Sequence, residues 1–420
     1  MPWKKFFGVL ALLGLAGAAV LENGAGAGTE PPKPAAAPAV DTVPGMPAVT
    51  DARNLYSETS GPDRIKPELR EDLVRIYVPN LRGNSISVID PATMKVVETI
   101  RVGRGPQHIV PSWDMRTLWV TNNAEGRTDG SLTPIDPRTG KAGAAKLVDD
   151  PYNMYYTPDG KSAIIVAEAR KRLDFRDPKT MALQYSIATP KCAGINHADF
   201  SIDGRYAVFT CEFDGSVAKI DLVNRKVLGY LKLKMPATRF KDTPGLTGPA
   251  AMEICTVTKG MPQDIRVSPD GKRFYVADMA ADGLHIVDGE TLTEIGFLQV
   301  GVAPHGLYPS RDGKTLYIAN RGSHKIHGPR KGAGSVSILD FASGKLIGQW
   351  SVPGGGSPDM GNVSADGKWL WLSGRYDDVV YRFNTATGEV AQVAVGAEPH
   401  GLTVWPQPGR YSLGHTGNIR

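Results

Sequence analysis

Four of the eight histidines in this 420-residue chain occupy one recurring position, at the entrance to a short apolar segment. His305 and His400 stand in Pro-His-Gly, directly after the proline, while His108 and His197 come one residue later, in Pro-Gln-His and Ile-Asn-His. Neutral imidazoles brought together from separate segments can ligate one ion. Three or more such nitrogens suit copper or zinc, with Asp264 or Asp359, from the entrances of other segments, as an added carboxylate. One expectation is therefore a metal site, copper favoured, with His108, His197, His305, His400 and Asp264 as ligands. The other is that Pro-His-Gly is a turn whose imidazole bonds a neighbouring segment. The one-residue stagger leaves open whether the four rings face one way.

These residues need a repeated scaffold. Eight residues after each entrance comes a turn, usually Asp-Gly, at Asp114, Asp159, Asp203, Asp270, Asp312, Asp366 and Gln407. The entrances themselves are Pro106, Pro151, Ile195, Pro262, Pro304, Pro358 and Pro399. Successive turns lie 45, 44, 67, 42, 54 and 41 residues apart, so the unit has the length of a four-stranded propeller blade, with two insertions. Runs such as Thr-Leu-Tyr-Ile-Ala-Asn at 315–320 and Ser-Val-Ser-Ile-Leu-Asp at 335–340 are short, β-branched or aromatic and bounded by turn residues, as antiparallel strands are. Three strands at 75–100 lack an innermost partner, and the segment at 399–405 lacks the three that should follow it. The two ends would complete one blade and close the ring. The expected fold is all-β, a seven-bladed propeller over 73–409.

The repeat resembles that of the YVTN-repeat β-propeller family, exported or surface-layer type. The likeness rests on Gly260-Met261-Pro262-Gln263-Asp264-Ile265, on Ser268-Pro269-Asp270-Gly271, on Phe274-Tyr275-Val276-Ala277-Asp278, and on the 302–340 stretch. It covers 73–405 and implies a fold more than an activity, since members include binding and surface proteins. The architecture is also similar to the haem-binding propeller of dihaem nitrite reductases, which has eight blades. No C-x-x-C-H occurs here, so covalently attached haem is not expected.

In a propeller, the loops entering the innermost strands and the loops joining second to third strands open on one face, around the central channel. Gln263 and Asp359 fall there with the histidines. So do inserted loops at 234–261 and 321–334, the second bringing Arg321, His324 and His327. Eight residues beyond each turn stand Asn122, Ala167, Cys211, Asp278, Asn320 and Gly374, with Asn80 equivalent in the first blade. Asn there reads as a turn residue at a strand end. Cys211 could be a soft ligand, a disulfide partner of Cys255 or a buried thiol, and Cys192, Cys211 and Cys255 permit any of three pairings. His285, in mid-strand, reads as a packing residue with satisfied nitrogens.

The net charge of +5 is spread along the chain with no basic block, so no nucleic-acid partner is expected. Lys4 and Lys5, the apolar run 6–20 and the following A-x-A sites read as a signal peptide over 1–27. No later stretch has spanning length. The expected product is a monomer, periplasmic or secreted, without a membrane span after cleavage. A Pro/Ala-rich extended or disordered spacer is expected over 28–72 and a tail over 410–420. No P-loop or Rossmann glycine pattern occurs, so no nucleotide cofactor is expected. The functional expectation is metal binding at the channel mouth, for redox chemistry or metal handling on a small ligand. The alternative is a metal-free module presenting its loop face to a protein, glycan or peptide.

Overall fold

The computed structural model describes residues 39–57, 64–127, 129–236, 258–326 and 334–408. These form seven antiparallel sheets of four strands each. Blades 2 to 7 follow in chain order at 106–147, 151–188, 195–232, 262–299, 304–351 and 358–394, each with its first strand innermost. Blade 1 is composite: Arg75–Asn80, Ser85–Asp90 and Lys95–Arg101 take Thr403–Trp405 as innermost strand, with Arg75 opposite Trp405 and Ile76 opposite Val404. The ring closes as the repeat count requires.

Apolar residues run continuously through the inner strands because both faces of each blade are covered by neighbouring blades. Pro304–Pro309 is buried throughout, whereas Lys345–Ser351, the outermost strand of the same blade, is largely exposed. The core therefore lies between blades, as where Tyr155, Leu173 and Phe175 of blade 3 meet Phe200, Phe209 and Ile220 of blade 4. Each such side chain contributes about 1.5–3 kcal/mol on burial.

One irregularity recurs. In every innermost strand of blades 2 to 7 the register slips just after the entrance residue, between Pro106 and His108, Pro151 and Asn153, Ile195 and Ala198, Pro262 and Ile265, Pro304 and Leu307, and Pro358 and Gly361. Such a bulge interrupts the two-residue alternation of side chains, so the first and the second residue after the entrance can both turn to the channel. The glycine of Pro304-His305-Gly306 is needed for close approach. A Cβ at Gly306 would lie 2.1 Å from the Tyr308 hydroxyl and 2.5 Å from the Asp359 carbonyl oxygen.

The stretch expected as a spacer departs from that expectation over 39–57, where it is strapped to the turns of blades 4, 5 and 6 on the face opposite the entrances. Val43 N–H bonds Asp203 O at 2.9 Å and Leu55 N–H bonds Pro269 O at 2.8 Å. Asn54 Nδ2 donates to Asp312 O at 2.9 Å, and buried Tyr56 donates its hydroxyl to Val267 O at 2.7 Å. The missing hydrophobic period reflects irregular backbone rather than a detached segment, because the strap satisfies its polar groups on the turns.

Candidate functional site

The bulges absorb the stagger between the histidine pairs. The four imidazoles form a closed circuit, with ring centroids 5.4 Å apart for His108 and His197, 6.1 Å for His197 and His305, 5.7 Å for His305 and His400, and 4.8 Å for His400 and His108. Tyr152 stands beside His108 and His197 at 5.2 and 5.7 Å. All four histidines are buried.

Asp359, from blade 7, organises half of this circuit. Its Oδ2 lies 2.8 Å from His400 Nδ1 and its Oδ1 lies 3.0 Å from His305 Nδ1. Arg321 donates Nε to Oδ1 at 2.8 Å and Nη2 to Oδ2 at 3.2 Å. A carboxylate only accepts, so His400 carries its hydrogen on Nδ1 and keeps Nε2 as an acceptor, while His305 Nδ1 lies near Oδ1 without hydrogen-bond alignment. Burial works against the Asp359 charge, but Arg321 and the two histidines outweigh it and hold the carboxyl well below its usual range. Burial, reinforced by Arg321, lowers His305 to about 4; burial and Arg375 push His400 well down. Both rings are thus neutral at pH 7. His197 is held differently, Asn153 Nδ2 lying 3.3 Å from its Nδ1 and the Tyr152 hydroxyl 3.5 Å from its Nε2. Among the described residues, no group of three or more His, Cys, Asp or Glu side chains is placed to hold a metal ion.

Other expected site residues lie elsewhere. Asp264 does not join the imidazoles. Its oxygens are taken by Arg266 Nη2 at 3.2 Å and by the backbone N–H groups of Ile265 and Leu307, each at 2.9 Å, and burial raises its carboxyl to about 6. Cys211 is no thiolate ligand either: its sulfur is bonded to Cys192, and Cys255 lies outside the described residues. His324 turns to Asp282, with Nε2 2.7 Å from Oδ1, and His327 lies outside the described residues. Asn80 and Asn320 are strand-end residues whose Nδ2 bridges the hydroxyls of Ser85 and Ser87, and of Ser335 and Ser337. In blade 5 a charged version replaces this amide bridge. Asp278 and Glu294 flank buried His285, at 3.3 Å from Nε2 and 3.0 Å from Nδ1.

Above the histidines opens a cavity of about 360 Å³, lined by Tyr152, Gln263, His305, His400, Glu168, Glu212, Arg321 and Arg375 among others. The last four residues share one repeat position, nine beyond the turns at Asp159, Asp203, Asp312 and Asp366. Of these, only Arg321 was expected at the site, and the signal for the rest lay one residue past the strand-end column. Burial raises the Glu212 carboxyl, and Asn196 Nδ2 bonds its Oε2 at 3.2 Å. Burial and the nearby Glu212 raise Glu168. Arg375 is 4% exposed, and its guanidinium makes no ion pair or side-chain hydrogen bond among the described residues. It faces the cavity with Nε unpartnered, and its charge acts on Glu168 and Glu212 across that space without direct contact.

Fold, repeat and channel mouth together define a seven-bladed propeller of the YVTN type with a ligand-sized polar cavity on its entrance face. Residues 171–330 match the family described as "Lactonase, 7-bladed beta-propeller", and residues 71–210 match "YNCE-like beta-propeller". A 6-phosphogluconolactonase of Serratia proteamaculans is 22% identical over 323 residues, spanning 73% of this chain and 90% of that protein. Among solved structures, a functionally unknown protein from Desulfotomaculum acetoxidans aligns with a TM-score of 0.58 at 17% identity, over 79% of this chain and 98% of its own. Dihydro-heme d1 dehydrogenase NirN aligns with a TM-score of 0.50 at 16% identity, over 77% and 64%. These two likenesses concern the fold alone.

Proposed function

We propose that the channel mouth binds and hydrolyses a small anionic lactone. The observation that carries this reading is Arg375, a buried cation without an ionic partner among the described residues, in the same cavity as two carboxyls with raised proton affinity. The similarity to a 6-phosphogluconolactonase supports the reaction class. Arg375 would bind the substrate's carboxylate or phosphate. Glu212, as carboxylate, would take a proton from water as the water oxygen bonds to the lactone carbonyl carbon. When the ring C–O bond breaks, the same carboxyl would return that proton to the leaving alkoxide, and the product is a hydroxy acid. A carboxyl raised toward neutrality suits both roles. The neutral His400, with Nδ1 committed to Asp359, would offer Nε2 to substrate hydroxyls, and the neutral His305 stands beside it.

A panel of lactones bearing a carboxylate or phosphate tests this, with acid release followed by a pH indicator. Turnover should fall at least tenfold in Glu212→Gln, and substrate affinity about tenfold to a hundredfold in Arg375→Gln, since a hydrogen bond to a charged group is worth roughly 1.5–3 kcal/mol. Absence of both hydrolysis and binding across the panel would refute it.

The second reading is a metal ion, copper favoured, at the histidine circuit. It is favoured by the Asp359 contacts, because a carboxylate on Nδ1 is the usual orienting partner of an imidazole that ligates through Nε2. As placed, no three of the described His, Cys, Asp or Glu side chains converge on one point, so His108, His305 and His400 would have to turn toward one another to hold the ion, which would supply redox or Lewis-acid chemistry. Metal analysis of untagged protein after reconstitution tests it: substoichiometric copper and zinc with an unchanged thermal midpoint would remove it, because a bound ion stabilises the native state. We also propose that the protein is exported, as its N-terminal pattern suggests. The Cys192–Cys211 disulfide supports an oxidising compartment.

A further inference from the structure

Beside the polar cavity lies a second one, of about 310 Å³ and of opposite character. Glu212 and Phe213 line both, so the two share a wall and open on the same face. The second cavity is mainly apolar, running over Met261, Met279 and Ala280 to an exposed rim at Thr258 and Lys259, with His324 also on its wall. Its floor reaches the polar site directly, for the Met279 sulfur lies 3.5 Å from Arg321 Nη1. Phe213, at the boundary, is 43% exposed although its backbone is fixed by a 3.0 Å bond from its N–H to Ala193 O. An aromatic ring left facing solvent between an anion site and an apolar hollow is placed to lie along a ligand that spans both. A hollow of this volume holds a short hydrocarbon or single-ring substituent, and is small for a peptide strand.

We infer that the ligand is amphipathic: its anionic head meets Arg375, and an apolar arm, alkyl or aryl, crosses Phe213 into the Met261–Met279–Ala280 hollow. This deepens the lactonase reading and rests on it for the position of the head. It separates the ligand from a wholly polar sugar derivative. Phe213 and Met279 thereby become specificity-determining residues.

The test is calorimetric titration with γ-lactones that carry one carboxylate and an n-alkyl chain of increasing length. Wild-type affinity should rise about fourfold per methylene until the hollow is full, the equivalent of ~0.8 kcal/mol per buried CH₂. Thr258→Trp, a change at an exposed rim position that threatens no core contact, should fill the hollow and flatten that rise while short-chain binding persists. Arg375→Gln should weaken every member by a common factor and keep the rise. Chain-length-independent affinity in the wild type, or a rise undiminished in Thr258→Trp, overturns the inference. If Arg375→Gln leaves all affinities unchanged while the rise persists, the anion site fails and the apolar subsite stands.

Discussion

The His400 imidazole gives its Nδ1 hydrogen to Asp359 at 2.8 Å, and that carboxylate also receives Arg321 and adjoins His305 Nδ1. One residue of blade 7 thus meets groups from blade 6 and from the segment leading into the closing strand of blade 1. Replacing it strands a buried guanidinium. Asp359→Ala should cost about 3–5 kcal/mol in urea unfolding. A loss below about 1 kcal/mol would mean the network does not form in solution.

The same cluster sets an acid limit. His305 titrates near 4 when folded, below its ordinary 6.5, because of burial first and Arg321 second. The unfolded chain therefore takes up this proton first. The stability is fully present above 6.5 and is lost as pH falls from 6.5 toward 4, on the order of 3 kcal/mol from this residue. Urea midpoints at pH 7 and pH 4.5 should show the drop, and His305→Gln should reduce it.

His285 sets an alkaline limit of opposite sign. Burial would lower its proton affinity, but the hydrogen bonds the ring gives to Asp278 and Glu294 overcome that and raise it to about 9. Its contribution is fully present below 6.5 and disappears as pH rises through 9. Thermal melts between pH 7 and pH 9.5 should decline in the wild type and run flatter in His285→Asn. Equal slopes would show that the ring is not charged in the native state.

Arg375 should behave as a functional rather than a structural residue. Arg375→Met removes a buried charge with no ionic partner among the described residues, so the thermal midpoint should hold or rise while binding of anionic ligands is lost. A large drop in midpoint with binding intact would reverse the assignment.

The Cys192–Cys211 bond joins residues 19 apart in sequence, and its removal in a Cys192→Ser, Cys211→Ser double variant should cost about 3 kcal/mol. Peptide mapping without reductant should recover 192 linked to 211; linkage of either to Cys255 would contradict this pairing.

Part of the site was legible in spacing. The histidines could be placed at the channel because all four follow entrance residues of the repeat. Glu168, Glu212 and Arg375 were equally legible in principle, since with Arg321 they occupy the column one residue beyond the strand-end Asn column. Asp264 and Asp359 both stand at strand entrances, second after Pro262 and first after Pro358, and one closes on Arg266 while the other holds Arg321 beside two imidazoles. Arg266 comes from Asp264's own strand, two residues on, whereas Arg321 comes from blade 6 and meets Asp359 of blade 7 only in the folded ring, so the second pairing is not written within a single repeat.

The chain's own residues determined the ring. Turns at regular intervals, inner runs apolar on both faces and complementary ends leave a seven-bladed closed propeller as the arrangement that buries every inner strand. Only the tertiary structure decided how the channel mouth is wired. The bulges that bring staggered histidines into one circuit, the cysteine pairing, the docking of 39–57 across the turns and the solitary state of Arg375 all depend on contacts between blades distant in sequence. Local pattern specifies each blade because strand periodicity and turn chemistry act over a few residues. Charge pairing in the channel is settled by groups that meet only when the ring has closed.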